Sequence, residues 1–558
     1  MKKILFSFII LSLALSGCRD WLDINRDPNN AEITIVSMDV FLPASQVRIA
    51  ALLNNSSNQA FLAHHLTKSG SVGGTFNFLT GRIQPQDASG FWQELYTINT
   101  NLDIVRAKAV ELGVKSYEGI AVALMTHNFQ RLVDMYGNVP YSEALKGQEV
   151  YQPKYDVAED IYTALLSDID FAITCLTDAK ATAQVELSRV NLLATADVMG
   201  KGDMDKWIRF ANSLKLRMLM RISGVKNVNS QIAAVVGKGL RSDELMECNP
   251  GYQKVSGKMK AWAGFGWNHL DQELNNHSYY RPSKDFIDML RDNSDPRLRV
   301  YAQPRLTIGE DPRGFANYTA AGLANEYYIG IPFGQQNPPE NSHTCSIGIG
   351  SMFLSATRDQ TTNSPIMGGF EDSFFLAEAA LKGYIAGGDA AAKQYYEAGV
   401  TGVFVYFDAP LRGAIETPGY PGTYAGMRPP VSGTNVAATR AAAATYLSQA
   451  GNTFCNWDAM NSDAQKLNAI ASQKWISLFG VNPVEAWFEH RRLDLPVLGS
   501  STQSQELYNI CILPYPQTEI NLNYDNYIIY GDNRDVSRTL VFWDANNPLA
   551  PRVAEYLD

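Results

Sequence analysis

The sequence predicts a mostly α-helical fold, a scaffold of paired helices carrying long inserted loops, and three observations predict it. Apolar residues recur at three- and four-residue spacing over most of residues 31–230, and again over 373–407 and 462–492. Capping signals stand at the ends of these runs, and the gap at 480–483 is too short for anything but an antiparallel helix pair. The stretches 250–280 and 303–370 are instead rich in Gly, Pro, Asn and aromatic residues with weak periodicity, and loops this long inside a folded body are usually functional or disordered.

The first eighteen residues, MKKILFSFIILSLALSGC, stand apart from that pattern. Lys2 and Lys3 precede an apolar run from Ile4 to Leu15, shorter than the roughly 20 residues of a membrane-spanning helix and of the length of a secretory h-region. The run closes on Leu15-Ser16-Gly17-Cys18, which resembles the lipobox of bacterial lipoproteins, so Cys18 is the expected lipidation site. An ordinary signal peptide cut nearby is the alternative. Each buried acyl methylene contributes ~0.8 kcal/mol, so two or three chains on one residue anchor a soluble body firmly. On this reading residues 1–17 are a signal peptide and 18–558 a single domain. Its first residues, 18–30, form an extended tether with a turn at Asp27-Pro28-Asn29.

The helices follow in order. Phe91, Trp92, Leu95, Ile98, Leu102, Val105 and Ala109 make one face of a helix that stops at Gly113. A second starts near Ser116, carries Ile120, Leu124 and Leu132, and ends at Gly137. Asp156 with Glu159 reads as a capping box for a third, whose apolar residues are Ile161, Leu165, Ile169, Ile173 and Leu176. Asp203 caps a fourth, with Trp207, Phe210, Leu214 and Met218 inward and Arg209, Lys215 and Arg217 free to face water. Ser283–Arg291 is a short helical piece. Helices return at 373–387 and 389–407. In the last pair, Ser462 and Gln465 form a capping box, Asn482 and Pro483 open the second helix, and Arg491 and Arg492 fall in its last turn, where cations suit the helix dipole.

Composition narrows the function. With 558 residues, 46% of them hydrophobic, the chain buries a sizeable core, and nothing after Cys18 approaches a membrane span. A net charge of −10 disfavours nucleic acid, whose binders need a basic footprint. Beyond Cys18, five cysteines remain at wide spacing with no C-x-x-C pair, which argues against a disulfide framework or a zinc site. The seven histidines include no H-E-x-x-H, and adjacent His64 and His65 point to different sides of a helix. No nucleophile elbow or phosphate-binding loop appears. The acid pairs Asp285/Asp288 and Glu371/Asp372 are read as caps or solvated groups, and Asp458, Asn461 and Asp463 as capping residues and not a calcium loop. No cofactor is expected.

Several stretches, in a fixed order, cover essentially the whole mature chain and resemble the SusD/RagB family of outer-membrane nutrient-binding lipoproteins of the Bacteroidetes, especially its SusD-like branch. Besides Cys18 and the DPNN turn they are Phe129–Leu145 (FQRLVDMYGNVPYSEAL), Trp207–Ile222 (WIRFANSLKLRMLMRI), Ser278–Arg297 (SYYRPSKDFIDMLRDNSDPR), Phe374–Gly383 (FFLAEAALKG), Gln473–Pro496 (QKWISLFGVNPVEAWFEHRRLDLP) and Leu513–Asn523 (LPYPQTEINLN). The resemblance implies a tetratricopeptide-like helix-pair scaffold with loops forming a ligand face. It also implies a non-catalytic surface receptor that passes an oligosaccharide, or a peptide, to a SusC-like TonB-dependent transporter, and an outer-membrane location through the lipid alone. Asp20 and Asp23 follow the cysteine, as surface export in such proteins favours, although Arg19 comes first. A surface glycosidase on an αα scaffold is the alternative from another class.

Ligand residues are sought among aromatics that lie in loops and outside helical stripes, because sugar rings stack their C–H faces on aromatic faces while amides and carboxylates meet the hydroxyls. Trp262, Phe265, Trp267 and Asn268 are the first group, Phe76 and Phe78 the second, and Tyr279 and Tyr280 the third. Trp207, Trp475 and Trp487 lie in helical stripes and are assigned to the core.

Overall fold

The computed structural model describes residues 38–54, 57–70, 76–182, 193–241, 245–248, 254–255, 258–259, 280–303, 328–335, 346–347, 364–407, 436–499, 510–531 and 534–544. In chain order the elements are α1 (Met38–Asn54), α2 (Ser57–Leu62), β1 (Leu66–Lys68), α3 (Asn77–Thr80), α4 (Ser89–Leu112), α5 (Lys115–Tyr136), α6 (Ala158–Ala181), α7 (Leu193–Ala196), α8 (Met204–Ile222) and α9 (Asn229–Val236). Next come β2 (Leu245–Cys248), β3 (Lys254–Val255), β4 (Lys258–Met259), β5 (Tyr280–Pro282), α10 (Lys284–Asp292), α11 (Leu298–Tyr301), β6 (Ala302–Gln303), β7 (Ser346–Ile347) and β8 (Ser364–Gly368). The chain continues through α12 (Gly369–Leu381), α13 (Gly388–Phe407), α14 (Val436–Leu447), α15 (Asp463–Ser477), α16 (Pro483–Leu493), α17 (Gln517–Leu522) and α18 (Tyr524–Gly531). The fold is mostly helical, as expected, with successive helices packed in pairs: α4 on α5, α5 on α6, α12 on α13, and α15 on α16. The described strands pair two by two, all antiparallel.

Local signals account for much of this. All seven residues expected on the inner face of α4 are buried, and Gly113 takes the left-handed conformation just past its end. The Val114 N–H bonds Ala109 O at 2.9 Å and the Gly113 N–H bonds Val110 O at 3.2 Å, the two bonds of a Schellman motif that turns the chain straight into α5. Ser283 caps α10 through the Phe286 N–H (3.2 Å), and Asn482 caps α16 through the Glu485 N–H (3.2 Å) with Pro483 in its first turn. Asp203 caps α8 as expected. Ser462 caps α15, but Gln465 returns its side chain to the Asn461 N–H at 2.6 Å, one residue earlier than a capping box requires.

Three further expectations need correction. The capping box at Asp156 and Glu159 does not form. The Asp156 carboxylate accepts the backbone N–H groups of Tyr141 and Ser142 (both 2.9 Å) and the Ser142 hydroxyl (2.6 Å), and the first N–H of α6 goes to Asn138 Oδ1 instead. The turn after α5 thus wins the carboxylate that a local reading gave to α6. Helix α12 begins at Gly369, four residues before 373, because Glu371 reaches back to the Gly368 N–H at 2.9 Å.

The third correction concerns the core. Arg217 does not face water. Helix α8 packs against α5, α6 and α12, and its second half is buried all round. Arg217 donates to Glu371 of α12 at 2.9 Å, and Arg221, one turn on, pairs with Glu485 and lies 3.3 Å from Glu489 of α16. Glu489 also accepts from Lys474 of α15 (2.9 Å) and Arg492 (2.7 Å), and Arg492 reaches on to Glu378 of α12 at 2.6 and 2.8 Å. Arg491 caps no carbonyl of its own helix. It donates to Cys511 O and to Asp134 O (2.6 Å), so the two cations read as dipole partners of α16 tie it to three other segments. A buried charge is tolerable only when paired and hydrogen-bonded, which is why these groups occur as a connected set. Cys175, Cys248, Cys455 and Cys511 are free thiols buried in this interior, and the Trp207, Trp475 and Trp487 side chains are core.

Candidate functional site

Phe76 and Tyr280, from two of the flagged segments, come together where α2, β1, α3 and β5 meet. Trp475, fixed in α15, donates its indole N–H to Ala63 O at 2.8 Å, and the His65 ring nitrogen Nε2 lies 3.0 Å from Trp475 O. These two bonds pin the chain leaving α2, so that β1 pairs with β5 in the register Leu66↔Pro282, Thr67↔Arg281 and Lys68↔Tyr280. The Ser283 N–H then bonds His65 O at 3.0 Å and leads into α10, whose Phe286 stacks on Phe479 at 4.1 Å. A rigid aromatic base of His65, Phe286, Trp475 and Phe479 therefore lies beneath the strand pair.

Of the eight predicted ligand residues, Phe76, Phe78 and Tyr280 are described. Phe76 caps α3 and is half-buried. Its ring meets Phe61 edge-on at 5.9 Å and Tyr280 at 6.2 Å, while Phe61 and Tyr280 contact each other at 5.2 Å. The structure thus brings Phe76 and Tyr280 into one aromatic cluster from distant parts of the chain. Tyr280 presents only 9% of its surface, and Phe78, with 6%, points down into the body. Trp262, Phe265, Trp267, Asn268 and Tyr279 lie outside the described residues, as does Cys18. Phe61 was missed because it sits in a helical apolar pattern, and Phe333, whose ring stacks on His64 at 3.8 Å and 13°, because it stands in a short loop without periodicity.

The titratable groups around this base are locked. Burial lowers the His64 imidazole to about 4, against a hydrogen bond at Gly499 that raises it, and lowers His65 to about 3, against the bond at Trp475. Both rings are neutral at physiological pH and serve as packed aromatics. A void of about 20 Å³ lies between His64, Phe78, Phe333, His490 and Arg491, too small for anything beyond a single water. Asp288 is paired with Lys284 and with Arg291 (2.7 Å), and Asp285 accepts the Gly499 N–H at 2.9 Å, so this pair is consumed by structure. Glu371 and Asp372 are buried and bonded to Arg217 and Arg241, each at 2.9 Å, so of the cap-or-solvated reading only the cap holds, at Glu371 through the Gly368 N–H. Asp458 pairs with Lys393 at 2.6 Å. Among the described residues no group of three His, Cys, Asp or Glu could hold a metal ion, and no helix is long and apolar enough to cross a membrane.

Comparison with known proteins adds a family. The sequence model of the SusD-like family described as starch-binding and associating with the outer membrane matches residues 29–516. A SusD-like protein from Bacteroides thetaiotaomicron is 23% identical, covering 91% of this chain and 99% of its own, with a TM-score of 0.65. A chitin-binding SusD homologue from Flavobacterium johnsoniae is 21% identical over 91% of this chain and 98% of its own, TM-score 0.67. A SusD homologue from Bacteroides fragilis is 18% identical over 90% and 99%, TM-score 0.68. No curated protein matches the chain.

Proposed function

This chain belongs to the SusD-like family, whose members are outer-membrane-associated binding proteins and not enzymes, and from that premise we propose that it is a lipid-anchored surface receptor that binds an oligosaccharide and delivers it to a SusC-like TonB-dependent transporter. One observation carries the glycan reading: the half-buried ring of Phe76 is held edge-on between Phe61 and Tyr280 above a rigid aromatic base. A ring fixed on two sides stacks on a sugar at little entropic cost, because its rotamer is already chosen. Trp262, Phe265, Trp267 and Asn268, with Tyr279 beside Tyr280, complete the proposed ligand face, and Phe78 supports it from below. Binding is an equilibrium capture with no bond broken.

Affinity gel electrophoresis of the purified chain in starch and in other glycans tests this. Phe76→Ala is expected to weaken retention about tenfold, the equivalent of one aromatic contact of about 1.4 kcal/mol. Unchanged retention, with the same thermal stability as wild type, refutes the platform. Release of reducing ends refutes the binder. Co-purification of a large β-barrel protein tests delivery, and mass spectrometry of the native N-terminus tests acylation of Cys18.

A further inference from the structure

A separate cleft of about 400 Å³ opens between α1, α2 and the start of α4, lined by Arg48, Asn58, Gln59, Phe78, Asp87 and Phe91 among others. We propose that this cleft is a second sugar site, which takes one or two pyranose units of a neutral glycan. The proposal rests on the glycan reading above and extends it from the aromatic platform to a cleft.

The chemistry of the lining selects the ligand. Arg48 and Glu94 form a bidentate pair across the cleft, Nε to Oε1 at 2.6 Å and Nη2 to Oε2 at 2.7 Å, and link α1 to α4. Asp87 accepts the Asn77 amide at 2.7 Å and the Gln84 N–H at 2.8 Å. The charges of Arg48 and Glu94 therefore answer each other, and the bonds given to Asp87 come from neutral donors, so an anionic ligand finds no uncommitted cation in the lining. A hydroxyl-rich ligand finds both donors and acceptors, since each carboxylate carries more lone pairs, and the guanidinium more N–H groups, than these bonds use. The Phe78 and Phe91 rings supply the apolar surface that a pyranose face requires.

The wall of the cleft also carries an amide. Gln59, 95% buried as a residue, lines the cleft, so its side chain borders the space a ligand would fill. An amide offers one acceptor and two donors, and a sugar hydroxyl in the cleft would bond to it. The volume lies at the low end of small-ligand pockets, which run from about 300 to about 1,000 Å³, so the cleft holds only one or two sugar units at a time.

Gly90 makes the test clean. It lines the cleft within the first turn of α4, and a Cβ added there meets nothing within 4 Å, so a side chain fits the backbone and raises helix propensity while filling the space. The full chain, wild type, Gly90→Leu, Gln59→Leu and Phe76→Ala, is titrated calorimetrically with maltose, cellobiose and lactose, and its retention by starch is measured in parallel. The expected result is 1:1 binding of at least one disaccharide, weakened at least about tenfold by Gly90→Leu with the thermal transition unchanged or raised, and weakened also by Gln59→Leu. Absence of disaccharide binding, or binding that Gly90→Leu leaves unaltered, overturns the second site. Starch retention that survives Gly90→Leu but falls in Phe76→Ala then leaves the platform standing alone. Loss of all glycan binding in wild type overturns the platform and the cleft together.

Discussion

Glu378 offers a direct measure of what the buried ion network contributes. It sits in α12, accepts Arg492 of α16 in a two-pronged bond at 2.6 and 2.8 Å and Lys382 at 2.8 Å, and is almost wholly buried. Burial alone pushes its carboxyl up, and the Arg492 guanidinium with Lys382 more than offsets that, bringing it from 4.5 down to about 2. At ~1.36 kcal/mol for each tenfold change in proton affinity, that difference corresponds to about 3 kcal/mol of folding stability at neutral pH. A folded-state value below the unfolded one stabilises above roughly pH 4.5, and the contribution disappears as the pH falls through about 2. Glu378→Gln keeps the shape and one acceptor but removes the charge. Urea unfolding followed by tryptophan fluorescence should show the variant about 3 kcal/mol less stable at pH 7, the gap narrowing below roughly pH 4.5 and closing near pH 2. Taking the difference between the two proteins cancels every other carboxyl that titrates over the same range. A gap under about 1 kcal/mol at pH 7, or one that stays constant down to pH 2, would refute the assignment of this energy to the Glu378–Arg492 pair.

Other outcomes follow from the same geometry. Arg217→Met leaves Glu371 buried without its 2.9 Å partner and should cost about 3–5 kcal/mol, whereas Lys215→Met, two residues earlier and paired with a half-exposed Asp170, should cost less than about 1 kcal/mol by the same unfolding measurement. At the α5–α6 crossing a Cβ on Gly119 would stand 2.8 Å from a Leu176 side-chain carbon and 3.1 Å from Ala172 O, so Gly119→Leu should destabilise by about 1–3 kcal/mol or more and lower the thermal midpoint. Trp475→Phe removes the donor to Ala63 O, which should cost about 1–3 kcal/mol and, by loosening the segment that carries β1, weaken glycan retention as well as stability. Asp203→Ala should cost about 1 kcal/mol through the lost cap of α8 without touching retention.

The candidate site was legible only in part. Phe76 and Tyr280 stood out as aromatics in loops, a signal that needs no partner to be seen. That they meet each other and Phe61 was not legible, because the contact depends on β1 pairing with β5, and that register is set by His65 and Trp475 from α2 and α15. The cleft beside α4 had no sequence signature, since Arg48, Gln59 and Glu94 lie on three different helices and each reads as an ordinary surface residue. Glu371 and Asp372 were read as caps or solvated groups; Glu371 does cap α12 through the Gly368 N–H, but both are buried, because their cations come from Arg217 and Arg241 on separate segments.

What the sequence determined by itself is the set of helices, with most of their ends and the face each would bury. Those features are local: a side chain three or four residues away, a glycine free to turn left-handed at Gly113, a serine or asparagine reaching its own helix's first N–H groups. Only the tertiary structure decided which faces a helix buries beyond its apolar stripe, and therefore where charge goes. Helix α5 is buried almost all round and α8 over its whole second half, so Arg217, Arg221 and Asp134 turned inward against any local reading. The physical reason is that a buried charge is placed by its partner, and the carboxylates that hold Arg217 and Arg221 are supplied by other helices.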